Sequence, residues 1–570
     1  MNIGKRNSCF IAGLLFLTLF LKICCFQYYC YQSFLIKTLL TDPYLFGVFW
    51  LNKIVFPLLF AGIALLFKKK YWTIVLLVLI DLWIIANLIY FRMNRFPLDA
   101  YAFTMAGNMK GFWGSIFGLI EWRDIVFPIL TIAYCIPMIL LSKVGVSAAL
   151  PLGVFVCISS IIIQGTSVFC MHKEWEPSSN IHNPFSHDIV LEIGTMVNSY
   201  CYDFSVVHLL GLDIADFLSM KKDDFGAGRI EFTENEKSII SDRVNTEYGE
   251  SSSQFSDPLI IILVESFESW AIHRGIMPNL FKFLDNEHII YADKVVSQTR
   301  GGTSADGQMI VNTGLLPLSS GAACYRYPFS TYPGLAKSAS GKSIALVPHS
   351  LDVWNQKYMS DAYGYDISVQ IPADDEDIFY NVLQYYEDGF QMIQTFTLSS
   401  HLPFEVGSSK STLILPADMP PMMSKYLKCM NYTDSKLQII LTEIVEGKLK
   451  DATIVITADH YIFGQDRTAQ FQKYADNNGI YMSIANNYCP LIIYSPKISN
   501  KVTYSDVCYQ MDIYPTICSI LGQEHFIWKG LGSSLLDQPI CRGISSSTAY
   551  DISGKIIETD YFKDVYIGRN

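Results

Sequence analysis

Ser297-Gln298-Thr299-Arg300-Gly301-Gly302-Thr303-Ser304-Ala305-Asp306-Gly307 is the stretch from which the rest of the chain can be read. A β-branched, apolar run precedes it (Ile289-Ile290-Tyr291, then Lys294-Val295-Val296), and a largely apolar run from Met309 to Leu316 follows. The order reads strand, glycine-rich turn, helix. It places the Thr303 hydroxyl near a helix N-terminus, where unpaired N–H groups and the helix dipole favour negative charge. Taken alone, Gly-Gly-Thr-Ser is more often an ordinary N-cap. Its meaning depends on what the chain places around it.

The chain has 570 residues, 51% of them apolar, which is high for a soluble protein. The excess sits at the front, in apolar runs over residues 9–26, 48–67, 72–90, 125–142 and 146–165. Each approaches the roughly 20 residues needed to cross a bilayer core, so five spans are expected. Four runs follow the first, which therefore reads as an anchor rather than a signal peptide. Lys5 and Arg6, then Lys68-Lys69-Lys70, then Lys143 all fall on one side if the N-terminus is cytoplasmic. Arg92, Arg95 and Arg123 in the longer loop argue mildly the other way. With five spans and the N-terminus inside, everything after about residue 165 is extracytoplasmic. Lys22 and Lys53 lie toward the outer span ends, and Asp81 lies mid-span. Snorkelling lysines and a buried partner for the aspartate are the expectation. The alternative is that both lysines grip the phosphate of an outer-leaflet lipid.

The chain carries a net charge of −11 and no long basic stripe, which argues against nucleic acid. Its 14 cysteines are scattered without CxxC pairing, which argues against a zinc cluster or a dense disulfide framework. Residues 1–170 read as the transmembrane domain and 171–256 as a polar connector, with helical spacing at 189–218. Residues 257–540 read as the catalytic domain and 541–570 as a tail.

Within 257–540, strand-like runs at 259–264, 289–296, 343–347, 392–398, 453–457 and 491–494 alternate with helical stretches, the clearest at 421–447. Short buried strands alternating with helices imply a mostly parallel sheet covered on both faces. Ligands then collect at the carboxyl ends of strands. Three such ends carry chemistry: Glu265-Ser266-Phe267-Glu268, Ser399-Ser400-His401-Leu402-Pro403-Phe404, and Asp459-His460. A carboxylate at one end and an Asp-His pair at another can converge on a divalent ion.

These residues, in this order and behind five spans, resemble the lipoteichoic acid synthase branch of the sulfatase/alkaline-phosphatase superfamily. The resemblance covers nearly the whole chain and is strongest over 259–536. It includes Met511-Asp512-Ile513-Tyr514-Pro515-Thr516 and Gly530-Leu531-Gly532-Ser533-Ser534-Leu535-Leu536. It implies an α/β fold class: a five-helix transmembrane domain, then an extracytoplasmic sulfatase-like domain with a mostly parallel central sheet. It further implies Thr303 as nucleophile and Glu265, Thr303, Asp459 and His460 as ligands of a divalent metal. That metal is typically Mn2+, with Zn2+ and Mg2+ as alternatives. His401 matches the family's substrate-pocket histidine, and His349 and Trp354 match its His…Trp segment. Where the family often has an arginine after Trp-Asn, this chain has Gln356, which offers no planar bidentate cation to a phosphate.

A threonine hydroxyl is a poor nucleophile at neutral pH and needs a metal to lower its pKa. The expected reaction moves phosphoglycerol from a phosphatidylglycerol-like donor in the outer leaflet, through a phospho-threonine, to a glycan, glycolipid or polyglycerol-phosphate acceptor. His401 is expected to serve the phosphoryl or leaving oxygen. The nearest alternative is a phosphoethanolamine transferase. A phosphodiesterase or other hydrolase on the same fold and a non-catalytic scaffold follow. A sulfatase proper needs a Cys or Ser within C/S-x-P-x-R, and Thr303-Ser304-Ala305-Asp306-Gly307 is not that.

Overall fold

The computed structural model describes residues 3–41, 43–94, 98, 119–174, 254–299, 302–317, 322–326, 334–463, 465–480, 482–484, 487–522, 532, 534–536, 543–545, 548–550 and 556–557. These fall into two units, a helical one ending at residue 174 and an α/β one beginning at residue 254. The connector expected at 171–256, with its helical stretch at 189–218, lies almost wholly outside the described residues.

The five apolar runs fold as helices Ile3–Thr41, Pro43–Leu66, Trp72–Asn94, Val126–Val144 and Leu150–Glu174. Three stretches, Ile3–Cys30, Trp72–Arg92 and Trp122–Val144, are long and apolar enough to cross a bilayer. Trp50–Leu66 and Leu150–Thr166 are shorter apolar helices. The second and fifth helices meet through small residues. A Cβ at Gly62 would lie 2.7 Å from Cys157 Sγ, and one at Gly153 would lie 3.0 Å from the Gly62 carbonyl. Close backbone approach of this kind is how helices associate where lipid supplies no hydrophobic drive.

Lys22 does not snorkel. Its buried ammonium donates to Asp81, to the Phe127 carbonyl at 2.8 Å and to Thr131 Oγ1 at 2.8 Å, and Thr131 in turn donates to Asp81. All three ammonium hydrogens are thus used, which also removes Lys22 from the alternative of a phosphate grip and supplies the partner expected for Asp81. Farther along the third helix, Arg92 forms a bidentate pair with Asp124 at 2.7 Å per contact.

In the α/β unit, nine strands form one sheet in the order β4-β3-β5-β1-β6-β7-β2-β8, with β9 also pairing β2. They are β1 Leu259–Val264, β2 Ile289–Val296, β3 Ser343–Val347, β4 Ile367–Gln370, β5 Met392–Phe396, β6 Thr453–Ala458, β7 Cys489–Tyr494, β8 Val502–Tyr504 and β9 Cys508–Tyr509. Every pairing is parallel except those of β7 with β6 and with β2. The central strands β1 and β6 are buried along their whole length, as their β-branched runs require. Pro421–Val445 is a long amphipathic helix that buries Tyr426, Met430, Leu437 and Ile440. The tail contains three short antiparallel strands, Gly543–Ser545, Thr548–Tyr550 and Ile556–Ile557.

After β2 the chain turns into helix Thr303–Thr313, as expected for strand, glycine turn and helix. This helix lies directly against the end of β6, because a Cβ at Gly307 would fall 2.1 Å from the Asp459 carbonyl oxygen. Gly307→Ala must therefore push the helix off the strand, at a cost of about 1–3 kcal/mol, readable by denaturant unfolding. In the helical unit, Lys22→Met should cost on the order of 3 kcal/mol by leaving Asp81 buried and unpaired. Lys22→Met with Asp81→Leu should regain much of that loss in thermal unfolding of the detergent-solubilised chain. Single variants as stable as the parent would contradict this arrangement.

Candidate active site

Register builds the site. Val264 pairs with Ala458 across β1 and β6, so the next residues, Glu265 and Asp459, leave adjacent strand ends side by side. Leu263 pairs with Phe396, which puts the Thr397–His401 segment on the other side of Glu265. Glu265 N donates to Thr397 Oγ1 at 3.0 Å, and Ser400 Oγ donates to the Glu265 carbonyl at 2.7 Å. Ser266 takes a left-handed backbone with φ of +56° and gives its N–H to Asp459 Oδ1 at 2.9 Å. The sharp turn is what holds the Glu265 carboxyl at the sheet end.

Glu265, Asp459 and His460 are buried, and their ligand atoms all lie within 4.8 Å of one another. His460 Nδ1 sits 2.9 Å from the Tyr461 carbonyl oxygen, which can only accept, so Nδ1 carries the hydrogen. In the neutral ring this leaves the lone pair on Nε2, 3.5 Å from Asp459 Oδ2 and 3.7 Å from Glu265 Oε1. Burial raises the Asp459 pKa, and the Glu265 charge raises it further. Burial acts to lower that of His460, but the Asp459 and Glu265 charges outweigh it and raise it. Two carboxylates buried together without a lysine or arginine partner among the described residues call for a cation. Two carboxylates and one oriented imidazole fit a divalent ion such as Mn2+ or Zn2+ better than Ca2+, which prefers an all-oxygen shell.

Thr303 opens its helix with φ of +39°. A β-branched residue there is strained, a condition that persists at sites that use it. The turn is pinned from below: Asp306 accepts the Gly302 N–H at 2.9 Å, in the space a Cβ at Gly302 would occupy. Ser304 Oγ reaches His460 Nε2 at 3.3 Å and Glu265 Oε2 at 3.5 Å, which brings the start of the helix to the acidic cluster. The Gln510 side chain completes the joint. Its amide donates to the Asp459 carbonyl at 2.7 Å, and its oxygen accepts from Ser297 Oγ and Gln298 N at 3.2 Å each.

His401 joins this cluster electrostatically, feeling the charges of His460 and Asp459. Its Nδ1–H donates to the Leu402 carbonyl at 2.8 Å, and burial depresses its pKa, so it rests neutral with its lone pair on Nε2. His349 is held in the same way, with Nδ1–H on the Ser350 carbonyl at 2.9 Å and its pKa lowered by burial and then by neighbouring His401. Trp354 and Asn355 both take left-handed backbones, and the Trp354 ring lies 6.4 Å from that of Tyr325.

Gln356 is expected to line the substrate pocket. Its side chain is buried, and its amide donates to Gln308 Oε1 at 2.9 Å and Ser360 Oγ at 3.2 Å, which joins its helix to that of Thr303. The position where the family often has an arginine thus serves packing here. Sequence reasoning also missed Ser304, Gln510 and Glu268. Ser304 and Glu268 lie inside the motifs quoted above, whereas nothing local marks Gln510.

Residues 1–205 match the family model "Lipoteichoic acid synthase N-terminal domain", and residues 259–523 match the model "Sulfatase". Lipoteichoic acid synthase 2 of Bacillus subtilis is 22% identical over 559 residues, covering 90% of this chain and 83% of that protein. The lipoteichoic acid synthase of Staphylococcus saprophyticus is 22% identical over 503 residues, covering 83% of this chain and 76% of that protein. Among solved structures, the lipoteichoic acid synthase LtaP of Listeria monocytogenes is similar with 18% identity and a TM-score of 0.45, over 57% of this chain and 94% of that one. Sequence, from the first apolar helix to the last strand ends of the sheet, makes the assignment: the chain belongs to the lipoteichoic acid synthase branch of the alkaline phosphatase-like superfamily.

Proposed function

We propose that this membrane enzyme is a phosphoglycerol transferase that takes its group from a phosphatidylglycerol-like lipid and carries it on Thr303. The observation that supports this most is the strained Thr303 at a helix start beside the Glu265–Asp459–His460 cluster. Glu265, Asp459 and His460, together with the Thr303 hydroxyl, would hold the metal. When bound, the ion supplies the positive charge that makes a threonine hydroxyl acidic enough to react near neutral pH.

The residues of the chain do the rest. The Thr303 oxygen forms a bond to phosphorus as the bond from phosphorus to the diacylglycerol oxygen breaks, and the threonine proton ends on the departing diacylglycerol. In the second half, an acceptor hydroxyl oxygen displaces the Thr303 oxygen, and the acceptor proton returns to the threonine. His401, neutral at rest with its lone pair on Nε2, is suited to move that proton. His349 borders it, and the Trp354–Tyr325 pair offers an apolar wall for the glycerol or its acceptor. The donor comes from the outer leaflet, and the acceptor is an extracytoplasmic glycan, glycolipid or polyglycerol-phosphate chain, with the N-terminus in the cytoplasm and five membrane passes.

The burial of Gln356 supports a second reading, because no arginine grips the phosphate from that position. A phosphoethanolamine donor would then be handled by the same Thr303. Diacylglycerol release from vesicles of phosphatidylglycerol or of phosphatidylethanolamine, with the full chain in detergent or nanodiscs, separates the two. Release from phosphatidylglycerol, lost by about 10³-fold or more in Thr303→Ala, is the expected result. Release from phosphatidylethanolamine alone transfers the assignment to the second reading, and full release by Thr303→Ala overturns both. Chelation by EDTA should abolish turnover of the parent, and Mn2+ should restore it.

A further inference from the structure

Glu268 lies three residues beyond Glu265, is fully buried, and has no part in the chemistry above. Its Oε1 accepts the N–H groups of Ile462 at 3.1 Å and Phe463 at 2.9 Å, and its Oε2 accepts Trp270 Nε1–H. Tyr426 fixes the backbone around it, because Glu268 N donates to the Tyr426 oxygen at 2.9 Å and the Tyr426 hydroxyl donates to the Ser266 carbonyl at 3.0 Å. The carboxylate is therefore held in one orientation and aimed at the loop that follows His460.

The Ile462 N–H and the Tyr461 carbonyl are the two ends of one planar peptide unit. Glu268 binds the N–H end, and the carbonyl end accepts His460 Nδ1–H at 2.9 Å. The sequence of contacts runs from carboxylate to peptide N–H, and from peptide carbonyl to imidazole Nδ1–H. A negative charge at the N–H end polarises the peptide and makes its oxygen a stronger acceptor. That oxygen fixes the His460 tautomer and ring orientation and raises the basicity of Nε2. Carboxylates commonly do this for metal-binding histidines by direct contact. Here a backbone amide stands between.

We propose that Glu268 is a positioning residue that sets the metal affinity of His460 through the Tyr461–Ile462 peptide. The proposal rests on the reading of Glu265, Asp459 and His460 as a metal site. It requires the charge of Glu268 and not merely its shape. A glutamine could still accept both loop N–H groups through its oxygen, and only its amide nitrogen would conflict with Trp270 Nε1–H. Trp270→Phe removes that conflict, so Glu268→Gln in a Trp270→Phe background isolates the charge.

Burial pushes the Glu268 carboxyl up to about 7, so the test is run about one pH unit above that, where the carboxylate is ionised. It is a calorimetric titration of the full-length, detergent-solubilised, metal-free chain with Mn2+ alone, beside its thermal unfolding without metal. The expected result is a Kd for Mn2+ about 10- to 100-fold weaker in the double variant than in Trp270→Phe, with the same unfolding midpoint. A residue that only braces the loop would lower the midpoint and leave the Kd of the folded fraction unchanged, and that result overturns the proposal. If the double variant does not fold, Glu268→Asp, which keeps the charge but draws it back from the peptide, replaces it. Weakened Mn2+ binding then supports the proposal, and unchanged binding overturns it. Failure of the parent chain to bind Mn2+ overturns the metal reading and the proposal with it. A parent that binds alongside an unaffected variant overturns the proposal alone.

Discussion

The site depends on the parallel pairing of β1 with β6, in which Val264 faces Ala458. One residue farther along, that register places two carboxylates beside each other, under cover, with the His460 ring beside them and no lysine or arginine partner among the described residues. Burying like charges is costly, and the cost appears as a raised Asp459 pKa. The sheet is stable enough to hold them because β1 and β6 are apolar along their length and flanked on both sides. What the fold stores there is a demand for a cation, next to the Ser304 hydroxyl and the helix start that Thr303 forms.

Close approach brings the helix start to the cluster. Thr303 starts a helix that can touch the end of β6 only because residue 307 has no side chain. Gln510 joins the incoming loop to the same strand end, and Asp306 holds the glycine turn from within the helix. The helix is thus fixed at both its first turn and its underside, which is what a left-handed Thr303 needs in order to persist. Glu268 extends the same order to the far side of His460.

Much of this was legible in the sequence. The six strands marked there are the ones five residues or longer, whose largely apolar runs cannot be mistaken for loops. The strands that went unread are β4, half exposed at the sheet edge with Ser368 and Gln370, and the very short β8 and β9. Glu265, Asp459 and His460 were legible because strand ends in parallel sheets converge. The Gln356 contact was not, because its partner Gln308 lies on another helix and polarity alone does not name a side chain's partner. Lys22 and Asp81 looked like separate curiosities, since only the packing of the first, third and fourth helices joins them. The role of Glu268 depends on the direction of a peptide bond almost two hundred residues away in the chain, which no local pattern records.

Thr303 is the residue proposed to carry the transferred group. Acid quenching during turnover on mixed phospholipids with Mn2+, followed by mass analysis of the peptide containing Thr303, tests that role most directly. A phosphoglycerol increment located on Thr303, and absent when Asp459 is replaced by Asn, is the predicted result. Steady turnover with an unmodified Thr303, or with the increment on Ser304 instead, would show that Thr303 does not carry the group.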